Sequence, residues 1–245
     1  MVLCPKESLI LKSGQNMKNK FIASFDLSSR EYRCGIVNDT KELFGYVSMP
    51  YPIKPEGQNS NVITAASELD PIQLAEGLIL SLRKSVYLSK ISVREIIGIS
   101  ITGQRQATAF LDNKRNTLYL GTNTDLRATL QGFNIDEQHS ELIYKETGHL
   151  PSFFFTPAKL LWFRNNKPSI FQKIDKICSL PAWVGLQFTN TLIDEISALG
   201  EMGVLDITNK QVATKTLSVI DIDSTILPDF TTTRNTTRTI SGKFS

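Results

Sequence analysis

The order of apolar runs in the first half of the chain constrains the fold more than any other feature of this sequence. Three short runs, at residues 21–25, 32–37 and 43–48, have the length and apolar content of β-strands. Polar residues 38–41 indicate a tight turn between the second run and the third. Strands joined by such short connections pair antiparallel, so the sequence predicts a β-meander near the start of the chain.

A helix and a fully buried strand are predicted after the meander. Asp70 followed by Pro71 is typical of a helix N-terminus, and the apolar residues after it recur at helical spacing. The nearly continuous apolar run at 96–101 indicates a strand buried on both faces, and another strand is predicted at 107–111. The remainder is predicted to contain one short strand at 176–179 and helices at 124–132, 136–147, 157–165, 168–173 and 181–188. This order predicts an α/β fold in which helices and a helical insertion flank a mixed sheet with antiparallel edge strands.

The composition limits which cellular compartment and which classes of partner can be expected for this chain. The 245 residues suit one large domain or two small ones, and the net charge of +3 comes without the basic stripe of a nucleic-acid-binding protein. No apolar run approaches the ~20 residues that cross a membrane. Three widely spaced cysteines fit neither a metal site nor a disulfide framework, which predicts a reducing, cytoplasmic location. We therefore predict neither nucleic acid nor membrane among the partners.

The chain is predicted to divide into a short extension and one domain. Residues 1–18 are expected to form a flexible N-terminal extension, since Met17 is a second possible start just before the first strand. Residues 19–245 then form the domain. Within it, the segment 231–239 is dominated by Thr, Arg and Asn and is predicted to be a linker or surface loop.

Four separated segments match, in order, the motifs of one protein family. They are residues 25–29 with Arg33, which resemble Asp-x-Gly-Thr-Thr/Ser; 97–106, which resemble Gly-Ile-Ser-x-Gln-x-x; 121–127, which resemble Trp-x-Asp-x-Arg; and 144–168, which resemble Tyr-x-x-Thr-Gly followed by Lys-Leu-x-Trp. A weaker fifth match lies at 195–206. Together these segments cover nearly the whole of 20–245 and resemble the FGGY family of carbohydrate kinases.

The resemblance implies an actin-like ATPase, or ribonuclease-H-like, domain that corresponds to roughly the first half of a family member. The family's catalytic Asp, in a Gly-Asp-Gln or Gly-Asp-Asn context, and its C-terminal domain would lie beyond this chain. The implied function is that of the N-terminal, sugar-binding half of an ATP-dependent carbohydrate kinase acting on a ketose or polyol hydroxyl. We expect no useful kinase activity from this chain alone, because the catalytic base and domain closure are both missing.

Other functional interpretations stay open. The chain is alternatively a non-catalytic relic that binds a sugar or a partner, or an interaction module unrelated to kinases. The partners implied by the resemblance are a sugar or polyol and a C-terminal kinase domain, if one is encoded separately. Apolar surface facing that domain would be exposed in the isolated chain, which predicts self-association, for example as a homodimer.

The first matching segment implies a phosphate and Mg²⁺ site. A carboxylate at a strand end can hold hydrated Mg²⁺, and backbone N–H groups of a tight hairpin can bind phosphate. By resemblance, Asp26 binds Mg²⁺ through water, and Ser28, Ser29 and Arg33 bind the phosphates of ATP. Ser28 stands where the family has Gly, which permits positive φ and a close approach of the backbone. The alternative is an ordinary β-hairpin with an exposed aspartate.

The later segments imply a sugar site. Gln104, Arg105 and Gln106 follow the buried strand and offer hydrogen-bond donors and acceptors to hydroxyl groups. Asp125 matches the acidic residue of the third segment, with a surface helix start as its alternative. Phe154 is implied to pack against the sugar carbons. Core packing is the alternative, and we expect it for at least two of the three phenylalanines at 153–155.

These two sites must meet if the chain binds both ligands. Phosphoryl transfer depends on positioning the nucleotide phosphates beside the attacking hydroxyl. We therefore expect Asp26, Arg105 and Asp125 to converge on a single cleft. Lys159 and Trp183 are predicted to belong to the framework instead, Lys159 on a helix whose apolar face packs inside and Trp183 in the core of the helical region.

Overall fold

The computed structural model describes residues 2–4, 20–54, 66–150, 152–231 and 237–240. Its strands are β1 (Val2–Cys4), β2 (Phe21–Leu27), β3 (Glu31–Asn38), β4 (Leu43–Pro50), β5 (Ile96–Gly103), β6 (Thr108–Leu111), β7 (Thr117–Gly121), β8 (Lys176–Ser179), β9 (Ile193–Glu195), β10 (Leu205–Asp206), β11 (Gln211–Val212), β12 (Asp229–Thr231) and β13 (Thr237–Thr239). Its α-helices are α1 (Pro71–Ser89), α2 (Thr129–Thr147), α3 (Thr156–Asn166), α4 (Pro168–Phe171), α5 (Leu180–Thr189), α6 (Ile196–Glu201) and α7 (Thr214–Val219).

The main sheet is mixed and contains the predicted meander. Its strand order is β13-β1-β5-β2-β3-β4. β2, β3 and β4 pair antiparallel, whereas β5 joins β2 in parallel, so that Asp26 faces Arg33 on one side and Thr102 on the other. Phe21, Ala23 and Phe25 alternate inward along β2, which buries one face of the strand. The predicted meander is confirmed, and the ends of β2 and β5 lie side by side.

Helix α1 covers β3 and β4 and begins where the sequence predicts. Asp70 caps it, because its carboxylate accepts the backbone N–H groups of Ile72 and Gln73 at 2.9 and 3.0 Å. The helix approaches β4 so closely that a Cβ on Gly45 would lie 2.1 Å from the carbonyl oxygen of Ser85. That approach explains the glycine in the middle of a strand.

A second, antiparallel sheet of order β7-β6-β8 lies among the remaining helices. Its strand β7 was not predicted, since the apolar stretch after the turn at 112–116 is short and becomes a strand only by pairing with β6. The predicted break between helices at 124–132 and 136–147 is also wrong, because α2 is one helix. Gly132 lies inside α2 where the backbone of Phe153 crosses it, 2.2 Å from where a Cβ would be.

Two apolar clusters hold these layers together. One packs the main sheet against α1 and α5, and it contains Trp183, which is 1% exposed and donates its indole N–H to Thr117. The other packs β6 and β7 against α2 and α3, around Tyr119 and Phe163. The predicted burial of Trp183 is confirmed, but Trp183 belongs to the cluster of the main sheet and not to a core of the helical region. The first cluster supports the end of β5, and the second supports the loop after β7.

The two segments predicted to be irregular are only partly described. Within 1–18, Val2–Cys4 pair with β5 and β13, and residues 5–18 lie outside the described residues. Within 231–239, Thr231 ends β12 and Thr237–Thr239 form β13, while 232–236 are likewise outside. Among the described helices, none combines the length and the apolar character needed to cross a membrane.

Candidate functional site

A cavity of about 570 Å³ opens at the carboxyl end of β5. Its walls come from the end of β5, the start of α5, β9 and α6, and its polar lining includes Gln104, Arg105, Gln106, Asp194, Glu195 and Glu201. A volume of this size suits a small ligand. All three predicted residues that follow β5 therefore share one cavity wall.

Arg105 forms an exposed polar edge of this cavity. Its side chain is 77% exposed, and its Nε lies 3.7 Å from Oε1 of Glu201 on α6. An exposed ion pair of this length is weak, so both groups can exchange partners with hydroxyl groups of a ligand. The next residue, Gln106, has a φ of 63°. Its backbone therefore adopts the left-handed conformation in the turn that presents both side chains.

Asp194 is a cavity residue that sequence reasoning missed. Its buried carboxylate accepts hydrogen bonds from the backbone N–H and the hydroxyl of Ser179, both at 2.7 Å, and from the backbone N–H of Glu195 at 2.9 Å. Burial raises the pKa of Asp194. Because Ser179 caps α5, this carboxylate joins the start of α5 to β9. No local pattern distinguishes Asp194 from the exposed acids nearby, since its burial arises only when β9 packs beside α5.

The β2–β3 hairpin places the predicted phosphate residues close together. Oδ2 of Asp26 lies 3.0 Å from Nη1 of Arg33, and Nη2 of Arg33 lies 2.7 Å from Glu31. Hydrogen bonds from Ser48 and Arg33 lower the pKa of Glu31. The hydroxyl of Ser28 donates to the carbonyl of Glu31 at 2.8 Å. Among the described residues, those with positive φ all lie outside this turn, so its backbone does not require glycine at position 28.

Gln104 connects the hairpin to the cavity. Its side-chain amide donates to the carbonyl of Ser28 at 3.4 Å, and its Oε1 accepts the backbone N–H of Asn123 at 2.9 Å. Asn123 in turn donates from Nδ2 to the hydroxyl of Ser29 at 2.9 Å. The hairpin turn, the end of β5 and the loop after β7 are thus held as one polar surface, although Asp26, Ser28, Ser29 and Arg33 do not line the cavity.

Asp125 lies in a buried ion-pair network, apart from the cavity. It accepts the hydroxyl of Tyr119 at 2.5 Å and Nε of Arg127 at 2.8 Å, and Arg127 also contacts Glu68 at 3.2 Å. Burial raises the pKa of Tyr119, with the Asp125 carboxylate adding to the effect. The alternative of a surface helix start is wrong, because Asp125 is 1% exposed and α2 begins only at Thr129. The expected convergence of Asp26, Arg105 and Asp125 is also wrong, since only Arg105 lines the cavity.

Phe154 occupies a half-buried position outside the cavity lining. It belongs to a short 3₁₀ turn, Ser152–Phe154, and its ring centroid lies 4.1 Å from that of Phe153. Only Phe155 of the three neighbouring phenylalanines is buried. The expectation that at least two of them belong to the core is therefore wrong. Phe153 and Phe154 stay half-buried, and Phe153 packs against Phe133 with 5.4 Å between the ring centroids.

Lys159 is buried beside the turn that carries Arg105 and Gln106. Its Nζ donates to the carbonyl of Gln106 at 3.0 Å and to that of Thr122 at 3.4 Å. Burial lowers the pKa of Lys159 to about 8, an effect that Asp125 partly opposes. The helical position was predicted from the sequence, but the complete burial of the ammonium was not.

The family model for the N-terminal domain of FGGY carbohydrate kinases matches residues 21–244. The chain belongs to the FGGY family of carbohydrate kinases. Similar curated proteins include a xylulose kinase from Bacillus subtilis, 25% identical over 85% of this chain and 41% of that protein. A glycerol kinase from Thermococcus onnurineus is 28% identical over 44% of this chain and 22% of that protein. This FGGY chain thus spans less than half the length of the curated relatives it matches.

Solved structures of FGGY kinases share the fold. The xylulose kinase from Rhodospirillum rubrum superposes with a TM-score of 0.79 at 17% identity, over 91% of this chain and 45% of that one. A ligand-bound xylulose kinase from Lactobacillus acidophilus gives 0.77 at 19% identity, over 86% and 42%. The family and the actin-like fold predicted from the sequence are therefore confirmed. The roles of the individual site residues stay predictions.

Proposed function

We propose that this FGGY chain is the sugar-binding half of an ATP-dependent carbohydrate kinase that phosphorylates a ketose or polyol hydroxyl. The observation that carries the proposal is the cavity at the end of β5, with Gln104, Arg105 and Gln106 along one wall and the Asp26 hairpin beside it. Ligands of α/β proteins bind at the carboxyl ends of strands, and phosphoryl transfer needs the two sites to be adjacent.

The chemistry of the cavity suits a neutral, polyhydroxylated ligand. Arg105 supplies donors, the Glu195 and Glu201 carboxylates supply acceptors, and Gln106 supplies both. The excess of carboxylates over cations in this lining disfavours an anionic substrate. Asp194 already accepts three hydrogen bonds from Ser179 and Glu195, so we assign it to shaping the wall and not to accepting the hydroxyl proton.

The hairpin is proposed to hold the phosphates and the metal ion of Mg²⁺-ATP. The described residues include no cluster of three acidic, histidine or cysteine side chains that could enclose a metal. Mg²⁺ characteristically keeps most of its water and needs only one or two carboxylates besides phosphate oxygens. The half-exposed Asp26 fits that role through water, while Arg33, Ser28 and Ser29 fit contacts to phosphate. Bound Mg²⁺ would offset the charge that develops on the transferred phosphoryl group.

Asp125 and Phe154, the two other predicted sugar contacts, lie outside the cavity lining. Both Asp125 oxygens are used by Tyr119 and Arg127, so Asp125 supports the loop after β7 and does not bind the sugar directly. The sugar contact of Phe154 stays a prediction. We further propose that turnover requires the remainder of the family's length, because this chain spans only 41% of the Bacillus subtilis relative.

Calorimetric titration of the 245-residue chain with xylulose and with glycerol tests the sugar-binding proposal. Saturable binding of one of them is expected, and Arg105→Ala should weaken it about tenfold, which corresponds to one lost charge-assisted hydrogen bond. Arg94→Ala is the matched control, since Arg94 is an exposed arginine in the 3₁₀ turn before β5. Absence of binding to both polyols would favour the non-catalytic interpretation, and equal effects of the two variants would remove Arg105 from the site.

A further inference from the structure

Lys159 is a charged side chain with an unusual environment. It is 0% exposed, and it projects from α3 toward two separate loops. One of these loops follows β5 and carries Arg105 and Gln106, and the other follows β7 and carries Asn123. The ammonium contacts a backbone carbonyl in each loop, that of Gln106 at 3.0 Å and that of Thr122 at 3.4 Å.

Nothing else in the described structure compensates the charge directly. In the part of the chain that is described, no carboxylate lies within ion-pair distance of the Lys159 ammonium. A buried ammonium is costly unless its hydrogen-bonding groups are used, so the two carbonyl contacts are what keep it in place. The lysine and the two loops therefore depend on one another.

The loop after β5 also needs an external constraint. Gln106 has a φ of 63°, a conformation that residues with a Cβ adopt at a cost and retain only when their surroundings hold them. Its carbonyl is the group that Lys159 contacts. The second contact, to Thr122, lies one residue before Asn123, whose N–H binds Gln104. Lys159 and Gln104 thus both connect the loop after β5 to the loop after β7.

We propose that Lys159 is a positioning residue for sugar binding: its ammonium clamps the loops after β5 and β7 and thereby holds Arg105 and Gln106 in their binding geometry. The inference rests on the proposed function for the ligand, but the clamp itself is independent of it. Lys159 is not among the described residues that line the cavity, so it acts on the ligand only through the two loops.

The clamp should weaken when the ammonium loses its proton. Burial lowers the pKa of Lys159 to about 8, Asp125 favours its charged form, and Arg127 opposes it. The Tyr119 hydroxyl that faces Asp125 stays neutral, since burial raises its pKa. A neutral amine makes weaker hydrogen bonds to carbonyls than an ammonium does. None of the described residues that line the cavity is a histidine, cysteine, tyrosine or lysine.

Hydrogen exchange and calorimetry on Lys159→Met test the clamp at pH 7. Methionine fills a similar volume without a donor. Backbone amides at 103–107 and 122–125 should exchange about tenfold faster than in the wild type, and xylulose or glycerol should bind about tenfold more weakly. Lys145→Met is the matched control, because Lys145 is an exposed lysine paired only with Glu141 in the described structure. Unchanged exchange in both loops of a folded Lys159→Met would overturn the proposal.

The wild-type chain supplies a second test that needs no variant. Its affinity for the polyol should fall about threefold between pH 7 and pH 9.5, with a midpoint near the Lys159 pKa of about 8. A pH-independent affinity would contradict the clamp even if Lys159→Met failed to fold. If the wild type bound neither polyol, the proposed function would fail, and the exchange measurement would still decide whether Lys159 holds the loops.

Discussion

Two Asp–Arg ion pairs of similar length lie in opposite surroundings in this molecule. Asp26 and Arg33 are 3.0 Å apart on the β2–β3 hairpin, with side chains 44% and 38% exposed. Asp125 and Arg127 are 2.8 Å apart after β7, with side chains 0% and 8% exposed. The first pair is partly exposed to solvent on the hairpin, and the second is enclosed by Tyr119 and by Trp162 and Phe163 of α3.

The surroundings, more than the contact distance, decide what each pair can do. A solvent-exposed pair adds little to stability and readily exchanges its partner for a ligand or for water. Removing one partner of a buried pair strongly destabilises the fold, because the other charge stays buried without compensation. The hairpin pair is thus suited to binding a metal ion or phosphate, whereas the buried pair holds the loop that supports the site.

The largest effect should come from breaking the buried pair. Asp125→Ala leaves Arg127 with Glu68 as its one ion-pair partner among the described residues and removes the acceptor of the Tyr119 hydroxyl, so we expect a loss of about 3–5 kcal/mol in the free energy of unfolding. Urea denaturation followed by circular dichroism measures it. A loss below about 1 kcal/mol would show that the buried pair contributes no more than a surface pair, and it would contradict the proposed difference between the Asp125–Arg127 and Asp26–Arg33 pairs.

A smaller effect should appear in the pH dependence of stability at Lys159. The folded state releases the Lys159 proton near pH 8, whereas the unfolded chain keeps it up to about 10.5, so the unfolded state binds more protons in between. The free energy of unfolding should therefore rise with pH across this window by about 3 kcal/mol in the wild type relative to Lys159→Met, because relief of the desolvation cost of the ammonium outweighs the weaker contacts of the neutral amine to the two loops.

The comparison of the wild type with Lys159→Met is needed because other groups make the free energy of unfolding fall as the pH rises. Burial raises the pKa of Cys34 to about 12, so the unfolded chain ionises this thiol first and stability falls above pH 9. This contribution is common to the wild type and the variant and cancels in their difference. Parallel pH profiles for the two proteins would mean that Lys159 titrates normally and is accessible to water.

The smallest effect on stability, and a clear one on binding, should follow removal of the exposed carboxylate. Asp26→Ala should leave the midpoint of urea unfolding unchanged within error, because its pair with Arg33 is open to solvent. Under the proposed function it should weaken Mg²⁺-ATP about tenfold in a titration. Asp39→Ala, on the exposed turn between β3 and β4, is the matched control. Equal nucleotide affinity in the two variants would take Asp26 out of the proposed site.

Part of the site could be predicted from the sequence because it is local. The continuous apolar run of β5 followed at once by Gln104, Arg105 and Gln106 places three polar side chains at a strand end, where the structure also has them. The positions of the hairpin residues could be predicted in the same way, because a strand, a tight turn and a returning strand follow one another directly in the sequence. The roles assigned to all of these residues still await the experiments above.

The rest of the site depends on contacts between distant residues. The resemblance implied that Asp125 binds the sugar, with a surface helix start as the alternative, yet the structure buries Asp125 in a network with Tyr119, Arg127 and Glu68. Asp194 is buried where it binds Ser179, and Lys159 is buried where its ammonium contacts the backbone carbonyls of two loops. Whether a polar side chain faces water is settled by what packs around it, and periodicity carries no information about that.

The amino-acid sequence by itself determined the β-meander, the start of helix α1, strand β5, the family and the strand end at which the cavity opens, because strand and helix periods and short motifs are local properties of the chain. Tertiary structure alone decided that α2 is continuous through Gly132, that Asp125 and Lys159 are buried, and that Asp26 and Asp125 do not share the cavity with Arg105. The physical reason is that desolvation and close packing are set by groups far apart in sequence.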